Sequence, residues 1–172
     1  VVEQVRAKEK PDVVVVISHN GMDVDLKMAE RVSGIDVIFG GHTHDGVPAP
    51  TIVKNAGGQT LVTNAGSNGK FLGVMDLDVK DGKLRDFRYR LLPVFSNLLP
   101  ADPEMQAYIS QVRAPYKDKL EVKLATAGEL LYRRGNFNGT FDQVICDALR
   151  AVNDAQVSLS PGFRWGTTVL PG

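Results

Sequence analysis

Two runs rich in β-branched residues, at positions 13–17 and 35–39, constrain the fold more than any other feature of the sequence. Between them, apolar residues that include Leu26, Ala29 and Val32 recur at helical spacing. The runs predict buried strands, and the segment between them predicts the helix of a strand-helix-strand unit. Because such units join parallel strands, the sequence predicts an α/β fold.

Further elements follow this unit along the chain. Asp102 and Pro103 predict the start of a helix that Pro115 kinks or ends. Thr140 and Gln143 have the spacing of a capping box at the start of another helix. Short segments of alternating polarity predict an antiparallel extension of the sheet, in "TIVKN", "QTLVTNAG", "FLGVMDLDV" and "LRDFRYRLLPV". Two more strands are expected near the end, in "EVKLATAGELLY" and "AQVSLS".

Composition excludes several classes of function. The 172 residues carry 20 Lys and Arg against 20 Asp and Glu, so no basic field indicates a nucleic-acid or membrane partner. No stretch reaches the roughly 18 apolar residues of a membrane span. Cys146 is the single cysteine and is interpreted as a packed free thiol. The sequence begins within a helical pattern and without methionine, so we expect a fragment of a longer protein.

All three histidines of the chain, His19, His42 and His44, follow the two predicted parallel strands. Open α/β sheets place their sites at the carboxyl ends of the strands, so these side chains are expected to be neighbours. Neutral imidazole is a common ligand for zinc, manganese and iron. The sequence therefore predicts a metal site, for which Thr43 and Asp45 are candidate hydrogen-bonding partners of the ligands.

Carboxylates near these histidines do not provide an obvious bridge between two metals. Asp23 and Asp25 are interpreted as helix-start residues, which the helix dipole favours, and Asp36 as a structural residue within a strand. Arg164 stands beside Trp165 in a turn rich in Gly and Pro. Its guanidinium either contacts a substrate oxyanion or is a solvated surface group.

Longer segments of the chain carry a family resemblance. "VVISHNGMDVDLKMAERVSGIDVIFGGHTHDGVP" and "VTNAGSNGKFLGVMDLDV" resemble the second half of the catalytic domain of the metallophosphoesterase and 5′-nucleotidase family. "NFNGTFDQVICDAL" and "SPGFRWGTTVLPG" are similar to the start of its C-terminal domain. Nucleotidases have an Asn-Gly-Gly-x-Arg turn where this chain has "SPGFR". The sequence of these motifs is most similar to that of the thiosulfohydrolase (sulfate thiol esterase) branch of the family.

The resemblance implies a domain organisation. Residues 1–98 would form the C-terminal half of a four-layer α/β/β/α metallophosphoesterase domain. A linker helix would follow at 99–120. Residues 121–172 would begin an α+β, 5′-nucleotidase-type C-terminal domain that binds substrate.

It also implies a binuclear metal centre. His19 and His42 would ligate one divalent ion and His44 the other, with Mn²⁺ the implied metal and Zn²⁺ or Fe²⁺ compatible with the same ligands. The remaining ligands and the catalytic histidine would lie upstream of Val1. Arg164 would contact the substrate anion.

The implied activity is hydrolysis in the periplasm. Its substrate would be a thiosulfonate on a cysteine of a carrier protein of the SoxYZ type, and the product would be sulfate. Two alternatives stay open at this point. One is a 5′-nucleotidase or cyclic phosphodiesterase of nucleotide catabolism with the same metal core. The other is a metal-binding module without catalysis.

Overall fold

The computed structural model describes residues 1–133, 139–161 and 168–172. The chain divides into two compact units, Val1–Ala101 and Asp102–Gly172. Both helices and sheets form, which confirms the predicted α/β class. The assignment of residues 1–98, 99–120 and 121–172 to two domains and a linker stays a prediction.

A four-stranded sheet with the order β1-β2-β4-β3 organises the first unit. Strand β1 is parallel to β2 and β2 is parallel to β4, whereas β3 is antiparallel to β4. The strand-helix-strand unit of the sequence prediction is therefore confirmed. The elements are α1 Val2–Glu9, β1 Val15–Ile17, α2 Met22–Arg31, β2 Val37–Gly40, β3 Thr51–Asn55 and β4 Gly58–Asn64.

The core lies between α2 and one face of this sheet. Ala29 of the helix and Ile38 and Val62 of neighbouring strands are each 0% exposed. Asp36 directly precedes β2, at the amino end of the parallel strands. Its carboxylate accepts hydrogen bonds from the Val14 amide, at 2.7 Å, and from the Arg6 guanidinium. The structural role predicted for Asp36 is confirmed.

The predicted antiparallel extension of the sheet is correct only in part. Strands β3 and β4 form a hairpin in which β4 lies beside β2 and β3 lies at the edge of the sheet. Strand β4 is parallel to β2 rather than antiparallel to it. Strands β5, Phe71–Lys80, and β6, Lys83–Pro93, pair with each other in a separate two-stranded sheet. Asp81 and Gly82 join them with positive φ angles of 53° and 69°, as a type I′ hairpin turn requires.

The second unit opens with the predicted helix α3, Pro103–Arg113. Asp102 caps it, since its side chain accepts a 2.8 Å hydrogen bond from the Met105 amide. Pro115 lies in a 3₁₀ turn, Ala114–Tyr116, which leads into the short helix α4, Lys117–Leu120. The predicted break at this proline is confirmed.

Helix α5, Thr140–Asn153, is also present, but the capping box is wrong. Gly139 is the N-cap residue, and the Thr140 hydroxyl instead donates to the Leu130 carbonyl at 2.7 Å. The two late strands are wrong as well, because the described residues within 121–133 and 154–161 form only an isolated bridge from Leu131 to Val169. Across the described part of the chain, no helix is both long and apolar enough to span a membrane.

Candidate metal site at the carboxyl edge of the sheet

His19 and His42 meet at the carboxyl edge of the parallel strands. His19 follows β1, and His42 follows β2 by two residues. Their ring centroids are 5.2 Å apart, and the rings are inclined by 72°, edge to face. Both histidines are exposed to solvent. The expected proximity of these two histidines is confirmed.

Gly40 and Gly41 make this approach possible. A Cβ atom on Gly41 would lie 3.1 Å from Nδ1 of His19 and 3.4 Å from the Ser18 carbonyl oxygen. A Cβ atom on Gly40 would lie only 2.5 Å from Oδ2 of Asp25. The glycine pair therefore lets the loop after β2 contact both the loop after β1 and the start of α2.

The loop that carries the two later histidines has an unusual backbone. His42 and His44 have φ angles of 78° and 61°, in the left-handed region that non-glycine residues rarely adopt. Thr43 fixes the loop between them, since its hydroxyl accepts from the Met22 amide at 3.1 Å and donates to the Asp45 carboxylate at 2.5 Å. Strained backbone held by its surroundings is typical of functional loops.

The predicted ligand set is only partly assembled. Among the residues that the structure describes, no three His, Cys, Asp or Glu side chains are gathered in a way that could hold a metal ion. His19 and His42 lie side by side, and the ligand roles of all three histidines stay predictions. The predicted substrate residue Arg164 lies outside the described residues.

Sequence reasoning missed the importance of Asp25. Asp23 and Asp25 both lie in the first turn of α2, as predicted, but Asp25 is 0% exposed whereas Asp23 is at the surface. The Ser18 hydroxyl donates to Oδ1 of Asp25 at 2.5 Å. A signal was available, because Asp25 lies three residues after Met22 and four before Ala29, on the apolar stripe of the helix.

The chain is similar to several known proteins. No protein-family model matches the chain. The solved structure of sulfate thiohydrolase SoxB from Thermus thermophilus is 39% identical and superposes with a TM-score of 0.81, covering 99% of this chain and 31% of that chain. A 5′-nucleotidase precursor, also from Thermus thermophilus, is 26% identical with a TM-score of 0.74, covering 89% of this chain and 34% of that chain.

A third relative is the trifunctional nucleotide phosphoesterase protein YfkN of Bacillus subtilis. It is 38% identical over 76 residues, which are 44% of this chain and 5% of that protein. The chain thus spans about a third or less of the length of each of these relatives. Together the matches make the chain a SoxB-like member of the 5′-nucleotidase family.

Proposed function

We propose that the chain is part of a binuclear-metal hydrolase of the SoxB type. In this proposal the enzyme acts in the periplasm and releases sulfate from a cysteine-bound thiosulfonate on a carrier protein of the SoxYZ type. The observation that carries the proposal is the 39% identity to sulfate thiohydrolase SoxB over 99% of this chain, against 26% over 89% for the nucleotidase precursor.

The histidine pair supports a metal-dependent reaction. His19 and His42 would hold one divalent metal ion, and His44 would ligate a second. Two imidazoles that are exposed and adjacent fit this role, because neutral imidazole suits Mn²⁺, Zn²⁺ and Fe²⁺. When bound, such a metal pair supplies a water nucleophile at neutral pH and stabilises charge on the substrate oxygens. Mn²⁺ is the metal we propose.

The overall reaction balances without a further reactant. The oxygen of water bonds to the sulfonate sulfur, and the S–S bond that joins this sulfur to the carrier breaks. The sulfur that stays on the carrier takes the electron pair and a proton, and sulfate leaves. We assign Arg164 to the sulfonate oxygens, because a guanidinium forms paired hydrogen bonds with oxyanions.

One observation favours a second function. The 38% identity to the YfkN phosphoesterase over 76 residues supports a nucleotidase or cyclic phosphodiesterase that uses the same metal core. The two functions share the histidine pair, so the metal site does not distinguish between them. The segment "SPGFR", which holds the proposed substrate residue Arg164, departs from the Asn-Gly-Gly-x-Arg turn of nucleotidases.

The test compares both substrates with one preparation of the full-length, Mn²⁺-loaded protein. We expect sulfate release from a carrier peptide with a thiosulfonated cysteine and no phosphate release from AMP. An Arg164→Lys variant should raise KM for the peptide while its Mn²⁺ content is unchanged. Phosphate release from AMP without sulfate release would establish the nucleotidase alternative. Full Mn²⁺ loading with neither product would favour the non-catalytic module.

A further inference from the structure

Asp25 is a buried carboxylate that contacts both loops of the candidate metal site. It lies in the first turn of α2, where it is 0% exposed. Its Oδ1 accepts a 2.5 Å hydrogen bond from Ser18, which directly follows β1. Its Oδ2 lies against Gly40, which ends β2, and has no hydrogen-bond partner among the described residues. One side chain therefore spans the ends of two parallel strands.

Ser18 connects the Asp25 carboxylate to the loop of His19. The Ser18 side chain accepts from the backbone amide of Asn20 at 3.3 Å and from its side-chain amide at 3.0 Å. The Ser18 backbone amide donates to the Phe39 carbonyl at 2.9 Å. His19 thus lies between Ser18 and Asn20. The Ser18 hydroxyl bonds to Asn20 on one side and to the Asp25 carboxylate on the other.

Gly40, which packs against Asp25, leads into the loop of His42. The backbone of Gly40 lies so close to α2 that a Cβ atom at this position would be only 2.5 Å from Oδ2 of Asp25. A Cβ atom on the next residue, Gly41, would lie 3.1 Å from Nδ1 of His19. Ser18, which precedes His19, and Gly40, which ends the strand before His42, therefore both lie against the Asp25 carboxylate.

An apolar side chain at this core position would avoid the cost of burying a carboxylate. We propose that Asp25 is a positioning residue, which sets the distance and angle between the His19 and His42 rings through Ser18 and Gly40. The geometric part of this inference depends only on the contacts above. Its consequence for metal affinity rests on the proposed function.

Nuclear magnetic resonance of the full-length protein tests the geometric part. We expect a nuclear Overhauser effect between the ring protons of His19 and His42 in the unchanged protein. Asp25→Ala and Ser18→Ala should each abolish this effect and shift both ring signals. Asp25→Asn keeps the shape and an acceptor oxygen for Ser18, so it should retain the effect. Asp23→Asn, on the surface of the same helical turn, is the matched control and should change nothing.

Metal titration of the full-length protein tests the consequence. Loss of a group that orients metal ligands typically lowers metal affinity about 10- to 100-fold, so Asp25→Ala should weaken Mn²⁺ binding by at least about tenfold. Asp25→Asn and Asp23→Asn should bind as tightly as the unchanged protein. A merely structural role would lower the melting temperature of Asp25→Ala and leave the ring contact and the affinity of the folded protein unchanged.

Two results would overturn the inference. One is a folded Asp25→Ala or Ser18→Ala protein that keeps the ring contact; if Asp25→Ala does not fold, Ser18→Ala decides. The other is an Asp25→Ala protein that binds Mn²⁺ as tightly as the unchanged protein. If the unchanged full-length protein binds no Mn²⁺, the proposed function fails, and the resonance experiment still decides the role of Asp25.

Discussion

The rings of His19 and His42 meet edge to face with their centroids 5.2 Å apart, although the residues come from loops after different strands. Because each imidazole would supply one nitrogen to the same ion, loss of either leaves a weaker site. We predict that His42→Ala in the full-length protein lowers Mn²⁺ content and hydrolysis together. Metal analysis beside the hydrolysis assay measures both, with the exposed Glu30→Ala as control. Retained Mn²⁺ stoichiometry in His42→Ala would remove its assignment as a ligand.

Gly40 provides a test of packing against Asp25. A methyl group at this position would lie 2.5 Å from Oδ2, and overpacking of this kind costs about 1–3 kcal/mol. We predict that Gly40→Ala lowers the free energy of unfolding by an amount in this range. The loss should be smaller in the Asp25→Ala background, because the overlapping carboxylate is absent. Urea denaturation of the four proteins measures the difference, and equal losses in both backgrounds would contradict the predicted overlap.

The Asp36 carboxylate joins α1 to the start of the sheet. It accepts from the Val14 amide at 2.7 Å and from the Arg6 guanidinium, with side-chain exposures of 20% for Asp36 and 29% for Arg6. Hydrogen bonds to a charged group contribute about 1.5–3 kcal/mol, so we predict that Asp36→Ala lowers the unfolding free energy by about 2 kcal/mol. Denaturant unfolding measures this loss. The surface substitution Asp23→Ala should cost far less, and similar losses for both would refute the structural role of Asp36.

A second ion pair stabilises the unit that contains α5. Arg133 and Asp142 are 3.2 Å apart, with side-chain exposures of only 14% and 11%, and Ser160 donates to the same carboxylate oxygen at 2.9 Å. Removal of one partner leaves a buried charge uncompensated, so we predict that Asp142→Ala costs about 3–5 kcal/mol. The double variant Arg133→Met, Asp142→Leu should lose less than the two single variants together. Additive losses in thermal unfolding would show that the two charges are not coupled.

Local sequence patterns were sufficient for the elements that create the candidate site. The β-branched runs and the helix between them predicted parallel strands, and this placed His19 and His42 at one edge of a sheet. The capping of α3 by Asp102 was predictable for the same reason, because the cap depends on residues close together in the sequence.

Contacts between distant residues were not predictable in this way. Thr140 has the spacing of a capping box, but its hydroxyl bonds to the segment around Leu130 instead. Strand periodicity in residues 121–132 did not produce a strand, since among the described residues only Leu131 finds a bridge partner, at Val169. Asp25 was assigned to a helix start from local chemistry, whereas its carboxylate packs against Gly40 in another element.

The left-handed backbone at His42 and His44 has a consequence for protein engineering. A non-glycine residue in this conformation lowers the free energy of unfolding by about 1–2 kcal/mol. Glycine at position 42 or 44 would remove that cost. A laboratory selection for heat resistance alone would therefore favour glycine or asparagine in this loop and would discard the imidazoles. A library designed for thermostability should keep both positions fixed and draw its gains from the rest of the first unit.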